Sequence, residues 1–446
     1  MDYKNRFQAI IARNKIYGIE EQFFDLSGEE GAPVPSWLEG QTLYEVFVRN
    51  FSSSGNFDGV RRQLQTLKNL GINILWFMPI YPIGQLNRKG SLGSPYAVRD
   101  FYGVNPEYGS KQDFKSLVKD IHARDMRLII DMVPNHVAPD YIEVNNKPEL
   151  LRRNRHGEPD RRISDWTDIV DLNYNLPSTR AYTLDIMQYW INEFDIDGYR
   201  VDVAGMVPLE FWEWSIPQLR QIKPDLFLLA EWESPLLHRA GYNSTYDWTL
   251  HSLMLKVLKG RASAALLGEW LRLKAALYPR QARPLRFVEN HDKPRAARVF
   301  AGEALLPFLV LIFTTDGIPL IYNGQEIGAT KDVSLFDKDT IDWTSPDEDV
   351  YQNYKTLITL RKDYPAISGK KYYFPEHKQT RDVLTYIKDG LLVLINFRNK
   401  VLPWPECRDV RIRIGEQDIL FNSHQQLDQA KLQPYQAIIA RTDTTH

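Results

Sequence analysis

The stretch FDGVRRQLQTLKNLGINILWFMPI, residues 57–80, decides the class of fold. Its first part predicts an amphipathic helix, because leucines such as Leu64 and Leu67 recur on one face and Gly71 follows the last turn. Its second part, INILWFMPI (72–80), is a continuous apolar run, which is typical of a strand buried on both faces. A helix that leads into such a strand indicates a parallel sheet covered by helices.

Apolar runs and helical stretches alternate in the same way along most of the chain. Strands that alternate with helices predict βα units and a parallel sheet. Eight units over about 320 residues predict an α/β fold, a (β/α)8 TIM barrel. The alternative is a doubly wound open sheet, but no glycine-rich phosphate loop follows the first strand. The predicted strands are LYEVFVRNF (43–51), INILWFMPI (72–80), MRLIIDMVP (126–134), IDGYRVDV (196–203), LFLLAEW (226–232), the weaker STYDW (244–248), RPLRFVEN (283–290) and GIPLIYNG (317–324).

Changes of pattern divide the chain into four parts. The catalytic barrel is predicted at 41–137 and 176–365, interrupted after its third strand by a short, polar insertion at 138–175. Short strands with turns then predict a C-terminal antiparallel β-sandwich domain at 366–446. Residues 1–40 form an N-terminal arm for which the pattern predicts no fold. The predicted strands of the C-terminal domain are DVLTYIKDG, LLVLINFRN, DVRIRIG, DILFN and YQAIIAR.

The composition excludes several classes of partner. The chain has 55 basic and 57 acidic residues, so no excess charge indicates nucleic acid or an acidic membrane surface. It has no apolar run near the roughly 18 residues of a membrane span and no apolar segment after a basic start, as a signal peptide would have. Cys407 is the only cysteine, which excludes an internal disulfide. Together these features predict a cytoplasmic protein.

Ionisable residues stand at the ends of several predicted strands. Such groups are costly in a core, and the carboxyl ends of barrel strands meet at one rim, where barrel enzymes have their sites. Several carboxylates that converge with Arg and His are what glycoside hydrolysis needs. A buried ion pair or a core histidine is the alternative interpretation. The residues are Asp131, Asn135 and His136 after strand three, Arg200 and Asp202 after strand four, Glu231 after strand five, and Glu289, His291 and Asp292 after strand seven.

Four segments carry a resemblance to a known family. In their order and position they resemble the α-amylase family, glycoside hydrolase family 13, and the resemblance covers roughly residues 43–446. It is nearest to cytoplasmic α-amylases that act on maltooligosaccharides. The segments are DMVPNH (131–136), GYRVDVA (198–204), AEW (230–232) and VENHD (288–292), supported by GINILWFMPI (71–80), SPYAVRDFYGVNPEYG (94–109), VDLN (170–173) and GIPLIYNGQE (317–326).

The resemblance implies a role for each site residue. Asp202 is the implied nucleophile, Glu231 the general acid and base, and Asp292 the group that stabilises the transition state. The implied substrate-binding residues are Tyr96, His136, Arg200, His291 and Trp232. Arg200 would also keep Asp202 ionised. Two interpretations stay open, since Asp131 either orients Arg200 or contacts substrate, and Trp232 is either a platform for product or a packing residue. Glu289 is left out of the predicted site.

Three positions depart from the family pattern. Many exo-acting members have an Asp after the tyrosine, where this chain has Ala97, so the pocket is expected to stay open past the reacting sugar. Typical endo-amylases carry a Lys-His pair where this chain has Gly205 and Met206. The resemblance therefore indicates the type of bond more firmly than the length of the substrate.

The implied chemistry needs no cofactor, because two carboxylates suffice. The resemblance also allows a structural Ca²⁺, for which Asn135 and Asp171 match two oxygen ligands of the hard type that Ca²⁺ prefers.

The implied function is retaining hydrolysis of α-1,4-glucosidic bonds in α-glucans or maltooligosaccharides. Nucleic acid and membrane partners are not expected, and the oligomeric state is left open. Alternatives within the family are a glucanotransferase, another α-glucosidase and a trehalose-forming isomerase. A non-catalytic binding homologue is disfavoured, because Asp202, Glu231 and Asp292 are all present.

Overall fold

The computed structural model of the protein describes residues 3–11, 15–16, 19–20, 24–408, 410, 414–424 and 427–442. The largest sheet in this part of the chain is parallel, and each of its eight strands coincides with part of a predicted one. The strands are β1 (Leu43–Val46), β2 (Ile74–Phe77), β3 (Arg127–Met132), β4 (Gly198–Val201), β5 (Phe227–Ala230), β6 (Ser244–Thr245), β7 (Leu285–Arg286) and β8 (Ile318–Tyr322).

The sheet closes on itself. Each strand from β1 to β5 pairs with the next, β8 pairs with both β1 and β7, and Tyr246 beyond β6 forms a parallel bridge with Leu285 of β7. The prediction of a (β/α)8 barrel is therefore confirmed, and the open sheet is excluded.

The side chains of the strands alternate between two apolar layers. Ile129 of β3 and Leu229 of β5 belong to the cluster inside the barrel, whereas Ile130 belongs to the cluster between strands and helices. Because side chains two positions apart share a face, Asp131 and Glu231 continue the inward faces of these strands. The inward face is thus apolar at the bottom of the barrel and ionisable at its carboxyl end.

Helices follow the strands where helical periodicity predicts them. The helix Phe57–Leu70 begins after Asn56, whose side chain accepts the Gly59 N–H, and ends at Gly71 in the left-handed conformation, φ 105°. Such an N-cap contributes about 1 kcal/mol. The described α-helices are Tyr3–Ile11, Val48–Phe51, Phe57–Leu70, Lys111–His122, Pro177–Phe194, Leu209–Ile222, Pro235–Ala240, Trp248–Leu258, Ala265–Leu277, Ala296–Val299, Leu305–Thr314 and Glu348–Asp363.

The first predicted strand is wrong in its second half, where Val48–Phe51 forms a helical turn. Polar partners from other loops cause the change. The Phe47 N–H donates to Asn323 Oδ1 at 2.6 Å, and the buried Arg49 donates to the Gly93 carbonyl at 2.9 Å. These bonds take the backbone away from the sheet after β1.

The insertion and the C-terminal domain are both joined to the barrel by pairing or packing. The insertion starts and ends in one antiparallel pair, His136–Val137 with Val170–Asp171. The C-terminal domain contains an antiparallel sheet of β9 (Val383–Lys388), β10 (Leu391–Asn396), β11 (Ile419–Asn422) and β12 (Ala437–Arg441), and a second pair, Leu402–Pro403 with Lys431–Leu432, so the predicted β-sandwich is confirmed.

Two terminal regions complete the description. The predicted strand DVRIRIG (409–415) lies largely outside the described residues. In the N-terminal arm, the helix Tyr3–Ile11 packs on Ala265–Leu277, with the rings of Phe7 and Trp270 5.7 Å apart. In the described part of the chain, every helix is too short or too polar to cross a membrane.

Candidate active site

A cavity of about 780 Å³ opens at the carboxyl ends of the barrel strands. Its floor carries the three predicted catalytic acids and three of the predicted substrate-binding residues. Its walls come from the loop after β2, the insertion, the helix Trp248–Leu258 and the loop after β8. The lining residues include Asp202, Glu231, Asp292, Tyr96, His136, His291, Lys89, Trp166, Asp168, Trp248, His251 and Phe336.

One guanidinium holds the acids in place. Nη1 of Arg200 lies 2.8 Å from Asp131 Oδ1 and 3.0 Å from Asp202 Oδ1, and its Nη2 lies 2.9 Å from Glu231 Oε2. Arg200 is completely buried and does not line the cavity. Arg200 is predicted to bind substrate, but the structure places its guanidinium against Asp202 and Glu231 and not in the cavity wall.

Asp131 contacts Arg200 rather than the cavity. The Trp76 indole N–H and the Tyr96 hydroxyl donate to Asp131 Oδ2 at 3.3 and 3.2 Å, while Asp131 Oδ1 accepts from Arg200. Of the two interpretations that the sequence left open, the structure favours orientation of Arg200.

Burial separates the pKa values of Glu231 and Asp202. Burial is the largest cause of the raised pKa of Glu231. The negative charges of Asp202 and Asp292 raise this pKa further, and the Arg200 guanidinium lowers it. Burial also raises the pKa of Asp202, but to a smaller extent, to about 6 compared with about 8 for Glu231, and Arg200 lowers the pKa of both carboxyl groups. Near neutral pH this arrangement keeps Glu231 protonated while Asp202 is mostly ionised, as an acid and nucleophile pair requires.

Val203, the residue after Asp202, has a strained backbone. Val203 adopts the left-handed conformation, with φ 38° and ψ 46°, which is rare for a β-branched side chain. The conformation directs the Val203 N–H at Glu231 Oε2, 2.8 Å away. Strain of this kind persists where the surrounding structure enforces it, and it is typical of active sites.

His291 is held as an imidazolium. Its Nδ1 lies 2.5 Å from Glu45 Oε1, and its Nε2 lies 2.8 Å from the Tyr96 hydroxyl and 3.5 Å from Asp292 Oδ2. Burial lowers the pKa of His291, but the charges of Asp292 and Glu45 outweigh it and raise the pKa to about 9. Sequence reasoning missed Glu45, although an ionisable residue within a buried strand is the signal that identified the other acids.

His136 is neutral in contrast. Burial lowers its pKa to about 4. The Asn135 amide lies 3.1 Å from its Nδ1, which indicates that Nε2 carries the proton. Nε2 lies 3.9 Å from Asp202 Oδ2, so its N–H is placed near this carboxylate as a neutral donor.

Trp232 packs rather than lines the cavity. It is 7% exposed, and its ring lies 6.3 Å from that of Trp248, which does line the cavity. A methyl group on Gly205 would lie 2.2 Å from the Trp232 ring. Of the two interpretations that the sequence left open for Trp232, the structure favours packing. Its ring fills the space that a side chain at position 205 would need, which explains the glycine there.

Ala97 also lies outside the cavity wall. It packs in a small apolar cluster with Ile83, Ala138 and Ile169. A salt bridge that sequence reasoning missed stands in this wall, between Lys89 of the loop after β2 and Asp168 of the insertion, with the charged atoms 3.1 Å apart. The bridge therefore lies in the cavity wall, and the alanine does not.

The two predicted calcium ligands are already bridged by a cation of the chain. Arg162 Nε donates to Asp171 Oδ2 at 2.8 Å, and its Nη2 contacts Asn135 Oδ1. The described residues contain no group of three or more His, Cys, Asp or Glu side chains that could hold a metal ion. The residues present therefore do not fit Ca²⁺ at this position.

Comparison with known proteins agrees with this site. The family profile of the α-amylase catalytic domain matches residues 20–156 and 162–345. The structure is similar to an α-amylase from Lactobacillus plantarum, with a TM-score of 0.82 and 31% identity over 91% of this chain and 99% of that one. It is also similar to a noncanonic maltogenic α-amylase from Thermotoga neapolitana, with a TM-score of 0.76 and 33% identity over 82% and 87%. A cyclomaltodextrinase of Geobacillus thermopakistaniensis is 26% identical over 84% of this chain and 72% of its own length.

Proposed function

The chain belongs to the α-amylase family of glycoside hydrolases, and we propose that it hydrolyses α-1,4-glucosidic bonds of maltooligosaccharides with retention of configuration. The observation that carries this proposal is the single guanidinium of Arg200, which contacts Asp202 and Glu231 together. Two carboxylates held this near each other fit the separation of about 5–5.5 Å in retaining enzymes better than the wider spacing of inverting ones.

In the first step, a carboxylate oxygen of Asp202 attacks the anomeric carbon. The bond from that carbon to the glycosidic oxygen breaks, and protonated Glu231 gives its proton to the leaving oxygen. Because its pKa is raised, Glu231 still carries that proton near neutral pH. The product of the step is a glycosyl ester on Asp202 and a shortened sugar with a free hydroxyl.

In the second step, the ionised Glu231 accepts a proton from water. The water oxygen attacks the anomeric carbon and displaces Asp202, which regenerates both carboxyl groups in their starting states. Two inversions at one carbon return the α configuration. The Val203 N–H, 2.8 Å from Glu231 Oε2, stabilises the ionised form between the two steps.

The other groups of the floor bind the reacting sugar. Asp292 has a side chain 42% exposed to the cavity, so it accepts hydrogen bonds from sugar hydroxyls. His136 donates to a sugar hydroxyl as a neutral ring, and the His291 cation donates from Nε2, which it shares with the Tyr96 hydroxyl. Tyr96 offers a ring face to the sugar and is fixed by His291, to which its ring is stacked at 5.5 Å.

The cavity favours short glucans. Its volume of about 780 Å³ is within the range of about 300–1,000 Å³ that encloses most of a small ligand. The Lys89–Asp168 bridge and Trp248 stand in its walls. Relatives named maltogenic amylase and cyclomaltodextrinase agree with a maltooligosaccharide substrate. One of them is named an intracellular maltogenic amylase, and the cellular compartment of this chain stays a prediction.

The direct test follows the hydrolysis of maltoheptaose by proton NMR. We expect the first-formed reducing ends to be α-anomers, which then mutarotate, and the products to be shorter than the substrate. The Glu231→Gln variant is the matched blank. A β-anomer as first product would contradict retention. Products longer than maltoheptaose would show that a sugar hydroxyl replaces water, as in a glucanotransferase, and trehalose formed from maltose would indicate an isomerase.

A further inference from the structure

Three segments of the chain meet at the side chain of Arg162. Nε donates to Asp171 Oδ2 at 2.8 Å, Nη1 donates to the Met206 carbonyl at 2.8 Å, and Nη2 contacts Asn135 Oδ1. The backbone N–H of Arg162 also donates to Asp171 Oδ2, at 3.1 Å. The acceptors come from the end of β3, from the return of the insertion and from the turn beyond the nucleophile.

The acceptors are buried although the arginine reaches solvent. Asn135 and Asp171 are at most 1% exposed and Met206 is 6% exposed, whereas the Arg162 side chain is 36% exposed. Buried oxygen atoms that converge in this way need a cation or donors to satisfy them. A second arginine, Arg152, lies 4.0 Å from Asp171 Oδ2 and 3.6 Å from Asp160 Oδ2, so Arg162 is the cation nearest to the Asp171 carboxylate.

We propose that the guanidinium of Arg162 takes the place of a structural Ca²⁺ at the junction of barrel and insertion. Ca²⁺ binds six to eight oxygen ligands at about 2.3–2.6 Å. Here three oxygen atoms already contact one planar cation, and its donors point at all three. The same charge attraction that an ion would supply is built into the chain, so folding of the insertion needs no metal. This proposal concerns the junction and does not depend on the substrate proposed above.

The junction is coupled to the floor of the cavity on two sides. The Asn135 amide lies 3.1 Å from the Nδ1 atom of His136, and Met206 closes the turn Ala204–Met206, which follows the strained Val203. Loss of Arg162 would therefore loosen the turn behind Asp202 as well as the insertion. Arg162 is a positioning residue, because it does not line the cavity.

The test compares thermal unfolding of the full-length protein in EDTA and in millimolar CaCl2. We expect equal Tm values for the unmodified protein and no heat of Ca²⁺ binding by calorimetry. Arg162→Ala should lower Tm by about 2–4 °C, because it leaves buried acceptors and a buried carboxylate without their partner. Arg161→Ala is the matched control, since Arg161 donates to the Ser164 carbonyl within the insertion and should leave Tm unchanged.

CaCl2 should raise the Tm of Arg162→Ala, because the ion would bind the acceptors that the arginine leaves. It should not raise the Tm of the double variant Arg162→Ala with Asp171→Asn, which lacks the carboxylate. Arg162→Lys is the variant to use if the alanine variant does not fold. Its Tm should lie between those of the unmodified protein and Arg162→Ala, since an ammonium cannot reach three acceptors in a plane. A stoichiometric Ca²⁺ in the unmodified protein that is lost in Asp171→Asn would overturn the proposal. So would a Tm of Arg162→Ala equal to that of the unmodified protein, or no response of that variant to CaCl2.

Discussion

Glu45 Oε1 lies 2.5 Å from Nδ1 of His291, although the two residues are 246 positions apart in the chain. Glu45 is completely buried in β1, and its Oε2 has no hydrogen-bond partner among the described residues. The imidazole is therefore the main partner of this carboxylate. The contact keeps a positive charge at the mouth of the barrel, next to Asp292 and the Tyr96 hydroxyl.

Glu45→Gln should lower the pKa of His291, because the amide removes one of the two negative charges that raise it to about 9. His291 would then lose its proton near neutral pH, and we expect kcat to fall about tenfold, the worth of a charge-assisted hydrogen bond. NMR of nitrogen-15-labelled histidine measures the pKa. Glu289→Gln is the matched control, since Glu289 is equally buried but pairs with Arg295. An unchanged His291 pKa in Glu45→Gln would contradict the assignment.

Asp202→Asn should abolish nearly all turnover and keep the fold, because it removes the attacking charge and preserves the shape. Steady-state hydrolysis of maltotriose and circular dichroism measure the two effects. Residual activity above a few percent of the unmodified level would refute Asp202 as the nucleophile.

The pH profile of kcat should be bell-shaped. Glu231 must be protonated to act, so activity is lost as pH rises through its raised pKa. Asp202 must be ionised, so activity is lost as pH falls through its own raised pKa. In Glu231→Gln, assayed on a 4-nitrophenyl α-maltoside whose leaving group needs no acid, the alkaline limb should disappear. An alkaline limb that persists in this variant would assign it to another group.

Gly205→Ala should destabilise the fold by about 1–3 kcal/mol, because its methyl group would lie 2.2 Å from the Trp232 ring. Denaturant unfolding measures the loss. Gly28→Ala is the matched control, since a methyl group there meets nothing within 4 Å. The double variant Gly205→Ala with Trp232→Leu should lose less than the two single variants added together. Simple additivity would show that the glycine does not accommodate the indole.

Catalytic efficiency should rise from maltose through maltotriose to maltopentaose, because each added ring contributes binding energy that is usable in the transition state. Lys89→Met should raise the ratio for maltopentaose over maltotriose severalfold, since it breaks the bridge to Asp168 in the cavity wall. Lys331→Met, which breaks an exposed bridge to Asp339, is the control. Best efficiency on maltose, with glucose as the only early product, would show that the pocket is closed beyond the reacting sugar.

Local patterns in the sequence are enough to predict the barrel and the residues at its mouth. Continuous apolar strands and helical spacing are local patterns, and the period of two along a strand places Asp131 on the inward face of Ile129 and Glu231 on that of Leu229. Because all strands run parallel, their carboxyl ends share one rim. The convergence of Asp202, Glu231 and their neighbours therefore follows from pattern and topology.

The group that each residue contacts depends on how the loops pack in the folded chain. Arg162 contacts Asn135, 27 positions away, and Trp232 lies against Gly205. Neither contact follows from the regular spacing of residues along a helix or a strand. These contacts are made by loops, whose sequences have no periodicity and whose paths depend on the packing of every neighbouring loop. The sequence shows that Arg162 and Trp232 are present and where they stand along the chain. Whether Arg162 binds in place of a metal ion, and whether Trp232 is shielded from the cavity, depend on side-chain positions. Those positions are fixed only in the folded chain.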